Sequence, residues 1–187
     1  MGIMAAVLFI ALAPATAEPT ASPLIDLAQA RASLEGRWEG KLEYLDYSAN
    51  KWFGIPVTTA VEDQGDNATM IRRSDFDDGP SVGNVRITTV ELFDASKASV
   101  SVGTFRKGRK PEISVYAARL VAAVNDAAHW TMVEETTATD DDRPAMIRLT
   151  TVRNGGSVET LKEVDFLDDE ESEWMTRNRT RLTRLSK

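Results

Sequence analysis

The fold class of this chain is decided by one short stretch, Gly36-Arg37-Trp38-Glu39-Gly40-Lys41-Leu42-Glu43-Tyr44. Its even positions from 38 to 44 hold Trp, Gly, Leu and Tyr, and the odd positions from 37 to 43 hold charged residues. Strict alternation of this kind is the pattern of a β-strand that buries one face and exposes the other. The stretch therefore predicts a half-buried strand with Trp38, Leu42 and Tyr44 on its inner face.

Further segments rich in β-branched and aromatic residues follow at intervals of about a dozen residues, a spacing typical of β-sandwiches and β-barrels. They lie at 52–61, 68–73, 85–93, 98–105, 112–124, 130–136, 145–153, 158–166 and 174–185. Turn sequences separate them, and the clearest is Asn154-Gly155-Gly156. No connection is long enough to hold a crossover helix, so consecutive strands are expected to pair antiparallel.

An open sheet of this many strands has two edges with unpaired backbone groups, and closure of the sheet removes both. We therefore predict an all-β fold, a closed antiparallel up-and-down β-barrel of about ten strands. With an even number of strands, the first and the last run antiparallel at the closing seam. The outward face of the first strand carries Glu39 and Glu43. One face of the last carries Arg177, Arg179 and Arg181, so ion pairs are expected along the seam.

Composition narrows the class of protein. The chain has 187 residues, of which 42% are hydrophobic, and this is the size of one domain with a substantial core. Its formal net charge is -7, so it has no overall positive field to attract nucleic acid, and nucleic acid is not an expected partner. The absence of cysteine and the single histidine exclude disulfides, thiolate chemistry and zinc sites of the Cys/His type.

The first seventeen residues have the pattern of a secretory signal peptide. They carry no charged side chain, are apolar over 5–13 and end in Ala15-Thr16-Ala17, an A-x-A cleavage pattern. The apolar run is shorter than the roughly 20 residues of a membrane-spanning helix, so no transmembrane segment is expected in the mature chain. We predict a signal peptide at 1–17, then a leader at 18–33 that contains a short helix near 24–31, and then a barrel domain at 34–187. We also predict a periplasmic or secreted location.

The Gly36-x-Trp38 pattern, the run of antiparallel strands and an Arg near the end of the last strand resemble the calycin superfamily of lipocalin-like and avidin-like barrels. In that superfamily a Trp of the first strand packs under an Arg of the last, and the matching residues here are Trp38 and Arg184. The segment 34–185 is also similar to a group of uncharacterised secreted bacterial proteins, in pieces such as 34–40 and 142–145. The resemblance implies a barrel with a small-molecule cavity and a structural cation–π contact, and it implies no reaction. The chain departs from typical lipocalins in its lack of disulfide cysteines and of a long helix after the last strand.

Some polar side chains are in phase with the apolar face of their strands and are expected to point into the barrel. Lys162 is in phase with Val164, and Glu134 is in phase with Trp130. A buried charge without a partner is costly, so these two groups either meet each other or bind something polar. The face of Arg148 is ambiguous, because apolar residues occupy both sides of its strand. The candidate ligand-binding residues are Tyr44, Trp130, Glu134, Arg148, Lys162 and Asn178.

No catalytic constellation is predicted. His129 is the one imidazole available as a base, and no Gly-x-Ser-x-Gly sequence is present. A turn position is favoured for His129 over a role as haem ligand, because no second ligand lies near it in sequence. The acidic runs at 75–79, 140–142 and 168–171 do not match the twelve-residue calcium loop and are interpreted as solvated hairpin tips. No metal and no cofactor are therefore predicted.

Three hypotheses for function follow from the predicted barrel. The first is an exported, monomeric or weakly associating barrel that binds a small, mainly apolar molecule in its cavity. The second is a structural or protein-interaction envelope protein whose barrel is packed with side chains. The third is a hydrolase or isomerase that acts inside the cavity. An eight-stranded barrel is just filled by side chains, whereas ten strands leave space for a ligand, so the strand count bears on the choice.

Overall fold

The structure, a computed structural model, describes residues 24–169 and 172–186. The predicted signal peptide at 1–17 and the first part of the leader, 18–23, lie outside the described residues. A short helix, α1 (Leu27–Ala32), precedes the strands of the described part. The strands are β1 (Gly36–Asp46), β2 (Lys51–Asp63), β3 (Thr69–Asp77), β4 (Asn84–Asp94), β5 (Ser99–Arg106), β6 (Glu112–Leu120), β7 (His129–Asp140), β8 (Arg143–Asn154), β9 (Ser157–Phe166) and β10 (Met175–Arg184).

The strands form one closed antiparallel barrel in which each strand pairs with the next in sequence. β1 pairs with β10 and closes the sheet, in a register that runs from Trp38 opposite Arg184 to Tyr44 opposite Asn178. The predicted ten-stranded up-and-down barrel is thereby confirmed. No helix in the described ranges is long and apolar enough to cross a membrane.

The strand predicted at 112–124 is wrong over its last four residues, because β6 ends at Leu120. The backbone N–H of Ile25 donates to the carbonyl of Val124 at 2.8 Å. The chain after β6 therefore leaves the sheet and holds the segment that enters α1. This tertiary contact, which β-propensity does not reveal, ends the strand early.

α1 begins at a capping box and closes one end of the barrel. The Asp26 carboxylate accepts from the Gln29 N–H at 2.8 Å, and the Gln29 side chain accepts from the Asp26 N–H at 2.9 Å. Beyond the cap, Ala30 is fully buried in the main apolar core together with Trp38 and Trp130. We call this end, where β1 begins, the helix end and the opposite end the far end.

Trp38 is the centre of the seam at the helix end. It is buried, and its indole Nε1 donates to the Leu34 carbonyl at 2.9 Å. The guanidinium carbon of Arg184 lies 4.5 Å from the Trp38 ring centroid, and that of Arg153 lies 5.7 Å from it. Gly36 has a φ of +135°, and a Cβ there would lie 2.8 Å from an Arg184 guanidinium nitrogen. The Gly36-x-Trp38 pattern thus leaves space for the arginine above the indole.

The outer side of the seam carries a second cluster of charges. Glu43 accepts from Arg179 at 2.7 Å and from Arg181 at 2.8 and 2.7 Å, and it is largely buried by them. The hydrogen bond from Arg181 is the largest cause that lowers the pKa of Glu43. Arg179 also lies 4.1 Å above the ring of Trp52.

The expected seam pairing is wrong for Arg177 and for Glu39. The pairing of β10 with β9 shifts between Thr176 and Asn178, so a β-bulge takes Arg177 out of the outward series. Arg177 instead binds Asp140 at 2.6 Å. Within the described ranges, Glu39 lies opposite Thr183 and makes no ion pair.

The close approach of β1 and β10 makes Gly40 a sharp test of this seam. A Cβ at Gly40 would lie 1.8 Å from the backbone carbonyl oxygen of Arg181, so Gly40→Ala forces the two strands apart. We expect a loss of about 2 kcal/mol or more in the free energy of unfolding, measured by urea denaturation. Gly156→Ala is the control, because a Cβ there meets nothing within 4 Å. Equal stability of the two variants would contradict the register of the seam.

Candidate ligand site in the barrel interior

A cavity of about 230 Å³ lies inside the barrel beside the apolar core. Val57 and Leu182 belong both to the core and to the cavity wall, so the cavity begins where the core ends. Inner faces of five strands, β2, β3, β4, β9 and β10, line the cavity. The lining residues are Val57, Thr59, Arg72, Ser74, Phe76, Ile87, Thr89, Thr160, Thr180 and Leu182.

The cavity wall combines aliphatic and aromatic side chains with hydroxyl groups. Two of the hydroxyls, of Thr59 and Ser74, bond to each other at 2.9 Å. The hydroxyl of Thr160 bonds to that of Thr151 at 3.0 Å, and Thr180 has no side-chain hydrogen bond to any described residue. A hydroxyl can rotate to donate or to accept. The wall can therefore hold an apolar body and also bond to a polar group.

A buried network of charged side chains adjoins the cavity. Arg31 of α1 reaches into the barrel, where its guanidinium lies 2.6 Å from Glu91 and 3.2 Å from Glu134. Arg72 of the cavity wall lies 3.2 Å from the other oxygen of Glu91. The Arg31 side chain is 3% exposed, so its charge is almost fully removed from water. Two cations and two anions balance, which is what burial of charge requires.

The two carboxylates of the network differ in acidity. Burial raises the pKa of Glu91, but the charges and hydrogen bonds of Arg72 and Arg31 outweigh burial and hold the pKa below its ordinary value. Burial also raises the pKa of Glu134, and there the attraction of Arg31 is too weak to reverse the effect. Glu134 therefore takes up a proton before Glu91 does, as pH falls.

Four of the six candidate residues fall in one row across the sheet. In the register, Tyr44 lies opposite Asn178, Asn178 opposite Lys162, Lys162 opposite Leu149, and Leu149 opposite Glu134. The structure thus brings Tyr44, Asn178 and Lys162 side by side. Lys162 and Glu134 do not meet, because Leu149 stands between them.

The interior charges find separate partners instead. Lys162 donates to Asp140 at 2.7 Å, and Glu134 binds Arg31. The remaining two candidates lie elsewhere. Arg148 is on the outer face, since its neighbour Ile147 is buried inside, and it binds Glu135 at 2.7 Å.

Trp130 lies in the apolar core at the helix end. Its Nε1 donates to the Ala127 carbonyl at 3.0 Å and contacts the Ser33 hydroxyl at 3.1 Å. None of the six candidate residues lines the cavity. Asn178 and Lys162 each lie two positions from a lining threonine, Thr180 and Thr160, on the inner faces of β10 and β9.

The sequence pattern did not single out Arg72 of the cavity wall or its partners Glu91 and Arg31 in the charged network. A signal for Arg72 exists, because it is in phase with Met70 and Ser74 on the inner face of β3. Ile71 beside it is also apolar, which hides that signal. Arg31 lies in a six-residue helix, and its burial depends only on where the helix docks.

His129 pairs with a neighbour in sequence, and carboxylates of the acidic runs pair with basic residues of other segments. His129 is exposed, and its Nδ1 lies 2.5 Å from an Asp126 carboxylate oxygen. Asp75 binds Arg86 at 2.8 Å, and Asp168 binds Arg143. Asp140 is not a solvated tip, because its side chain is 11% exposed and binds Lys162 and Arg177. In the part of the chain that the structure describes, no group of three or more Asp, Glu or His residues is placed to hold a metal ion.

Comparisons with known proteins support the fold and give no family. No protein-family model matches the chain, and no curated protein matches it. Its fold is similar to the crystal structure of Rv2717c from M. tuberculosis, with a TM-score of 0.58 and 11% sequence identity, over 87% of this chain and 99% of that chain. At this identity the likeness shows the barrel fold alone. The comparisons do not confirm the resemblance to the calycin superfamily.

The raised pKa of Glu134 predicts a pH dependence of stability. The pKa of Glu134 is near 4.5 in the unfolded chain and is higher in the folded protein. As pH rises from 4.5 through the folded pKa, the unfolded state releases its proton first, so the folded protein loses stability. Glu134→Gln removes this loss, so the wild type should become less stable relative to the variant as pH rises through that range. Urea denaturation at a series of pH values measures the difference.

Glu135→Gln is the matched control, because the neighbouring Glu135 lies on the outer face with Arg148. If the stability of both variants followed the wild type in parallel at every pH, the buried position of Glu134 would be contradicted.

Proposed function

We propose that this barrel binds a small, mainly apolar molecule with one polar group in its interior cavity. The observation that carries the proposal is the cavity itself, which ten strands leave beside a well-packed core. Its volume of about 230 Å³ is below the roughly 300–1,000 Å³ of sites for drug-sized ligands, so the ligand is a small one.

The polar group of the ligand is expected near Arg72. This residue lines the cavity, and only its Nε is bonded to Glu91, at 3.2 Å. A guanidinium has five N–H donors, so others remain for a ligand that accepts hydrogen bonds. When Glu134 carries a proton, the network of Arg31, Arg72, Glu91 and Glu134 has one net positive charge. That state favours a carboxylate or another anionic head group.

The competing hypothesis is a structural envelope protein with a packed interior. It requires that side chains fill the barrel. The charged network fills part of the interior, which supports the structural hypothesis. The cavity beside Arg72 supports ligand binding instead. The two hypotheses differ in one observable, which is whether protein from its native source carries a bound mass.

Native mass spectrometry of protein purified from its own cell envelope measures that mass. We expect a ligand on the wild type and its loss in Thr180→Phe, because the phenyl ring occupies the cavity. Thr183→Phe is the matched control on the same strand, since Thr183 is exposed and follows the inward, buried Leu182. Ile87→Phe serves as a second cavity-filling variant if Thr180→Phe does not fold. A bare wild-type chain would favour the packed interior and overturn the proposal.

The barrel is proposed to work outside the cytoplasm. The support is the uncharged apolar segment at 1–17 with its Ala15-Thr16-Ala17 end. Cell fractionation followed by N-terminal sequencing tests this. We expect a mature chain that begins at Glu18 in the envelope or the medium. A chain that keeps Met1 and stays in the cytoplasm would contradict export.

A further inference from the structure

Three neighbouring strands, β4, β5 and β6, present large apolar side chains to solvent. We call these residues, Val90, Leu92, Phe105, Ile113 and Val115, the apolar face. Ile113 is 78% exposed and Val115 is 54% exposed. They form one patch, because Val90 and Ile113 flank Gly103 in the register, and Leu92 and Val115 flank Ser101. A contiguous apolar patch of this kind marks a surface that meets a partner.

The apolar face is almost free of negative charge, in a chain whose net charge is -7. Among the outward positions of β4, β5 and β6, the one carboxylate is Asp94. It lies at the helix end of its strand, where Lys97 binds it at 3.1 Å. A negatively charged partner can therefore approach the apolar face without repulsion.

The hairpin between β5 and β6 adds positive charge at the far end of the apolar face. It carries Arg106, Lys107, Arg109 and Lys110, all exposed, in a tight turn with Gly108 at a φ of +75°. Within the described ranges, none of these four cations forms an ion pair with a carboxylate. We call this segment the basic hairpin.

We propose that the apolar face and the basic hairpin together dock this barrel on an anionic lipid bilayer. Exposed aliphatic and aromatic side chains enter the boundary between head groups and acyl chains, and neighbouring cations bind the acidic head groups. The proposal does not depend on whether the cavity holds a ligand.

Charge argues against a second copy of the chain as the occupant. At the helix end, Arg119 of β6 borders the apolar face, whereas Asp94 balances the charge of Lys97. A two-fold antiparallel contact between two copies would place the basic hairpin of each near Arg119 of the other. Like charges would then meet at both ends of the interface. A bilayer of acidic lipids complements both ends at once.

The docked orientation also places the cavity next to the membrane. Ile87 and Thr89 on the inner face of β4 line the cavity, and Val90 and Leu92 on its outer face belong to the apolar face. One strand thus separates the two.

Cosedimentation with lipid vesicles tests the docking. The purified chain is mixed with vesicles of phosphatidylcholine and phosphatidylglycerol, and with vesicles of phosphatidylcholine alone. We expect binding to the first and little to the second, with the binding weakened by added salt. Equal binding to both, or no binding to the acidic vesicles, would overturn the proposal.

Two variants locate the surface. Ile113→Asn and the double variant Lys107→Gln/Lys110→Gln should each lose roughly tenfold in affinity for the acidic vesicles. The matched controls are Val152→Asn and Lys41→Gln/Lys51→Gln, which change exposed residues on other strands. Loss of binding in the controls to the same extent would show a non-specific charge effect and refute the site.

Light scattering distinguishes a lipid bilayer from a second copy of the chain as the occupant of the apolar face. A stable wild-type dimer that becomes monomeric in Ile113→Asn would assign the apolar face to a second copy of the chain and would overturn the proposal. A monomer that binds acidic vesicles through Ile113 and the basic hairpin supports it.

Discussion

The barrel depends on the contact at which its first and last strands meet. Trp38 on β1 lies beneath Arg184 on β10, and the Arg184 guanidinium also donates to the carbonyl of Ser33, just after α1, at 2.9 Å. Arg153 donates to the same carbonyl and lies near the same indole. A buried cation–π contact contributes up to about 2 kcal/mol. This cluster also joins both edges of the sheet to α1. No edge is therefore left open for pairing with other chains.

Closure of the barrel at this contact determines which part of its interior is apolar and which part is charged. The helix end is filled by apolar side chains around Trp38, and α1 sends Arg31 further inward, where Glu91 and Glu134 neutralise it. A buried network of this kind adds little stability compared with apolar packing. Arg72 is one of its members, so the contact of Arg72 with Glu91 places a guanidinium in the wall of the cavity. The network that holds α1 in the barrel therefore also provides the polar contact of the proposed ligand site.

β4 links the inside of the barrel to its outside. Its inward residues Thr89 and Glu91 serve the cavity wall and the charged network, and its outward residues Val90 and Leu92 belong to the apolar face. Alternation along a strand makes this possible, since neighbouring side chains point to opposite sides of the sheet. The proposed cavity site and the proposed docking surface therefore share one strand of the barrel wall.

The sequence by itself determined the number and order of the strands and their antiparallel pairing, because a period of two is a local property that follows from the chain alone. The contact of Trp38 with Arg184 was expected only from the resemblance to calycin barrels, and the register of the seam shows it. Only the tertiary structure decided which polar residues share a site. The bulge before Asn178 redirected Arg177 to Asp140, and the docking of α1 buried Arg31 beside the cavity. Alternation states which face a side chain takes within its strand, but contacts across a barrel depend on register, bulges and whatever closes the ends, and these are set by packing between segments far apart in sequence.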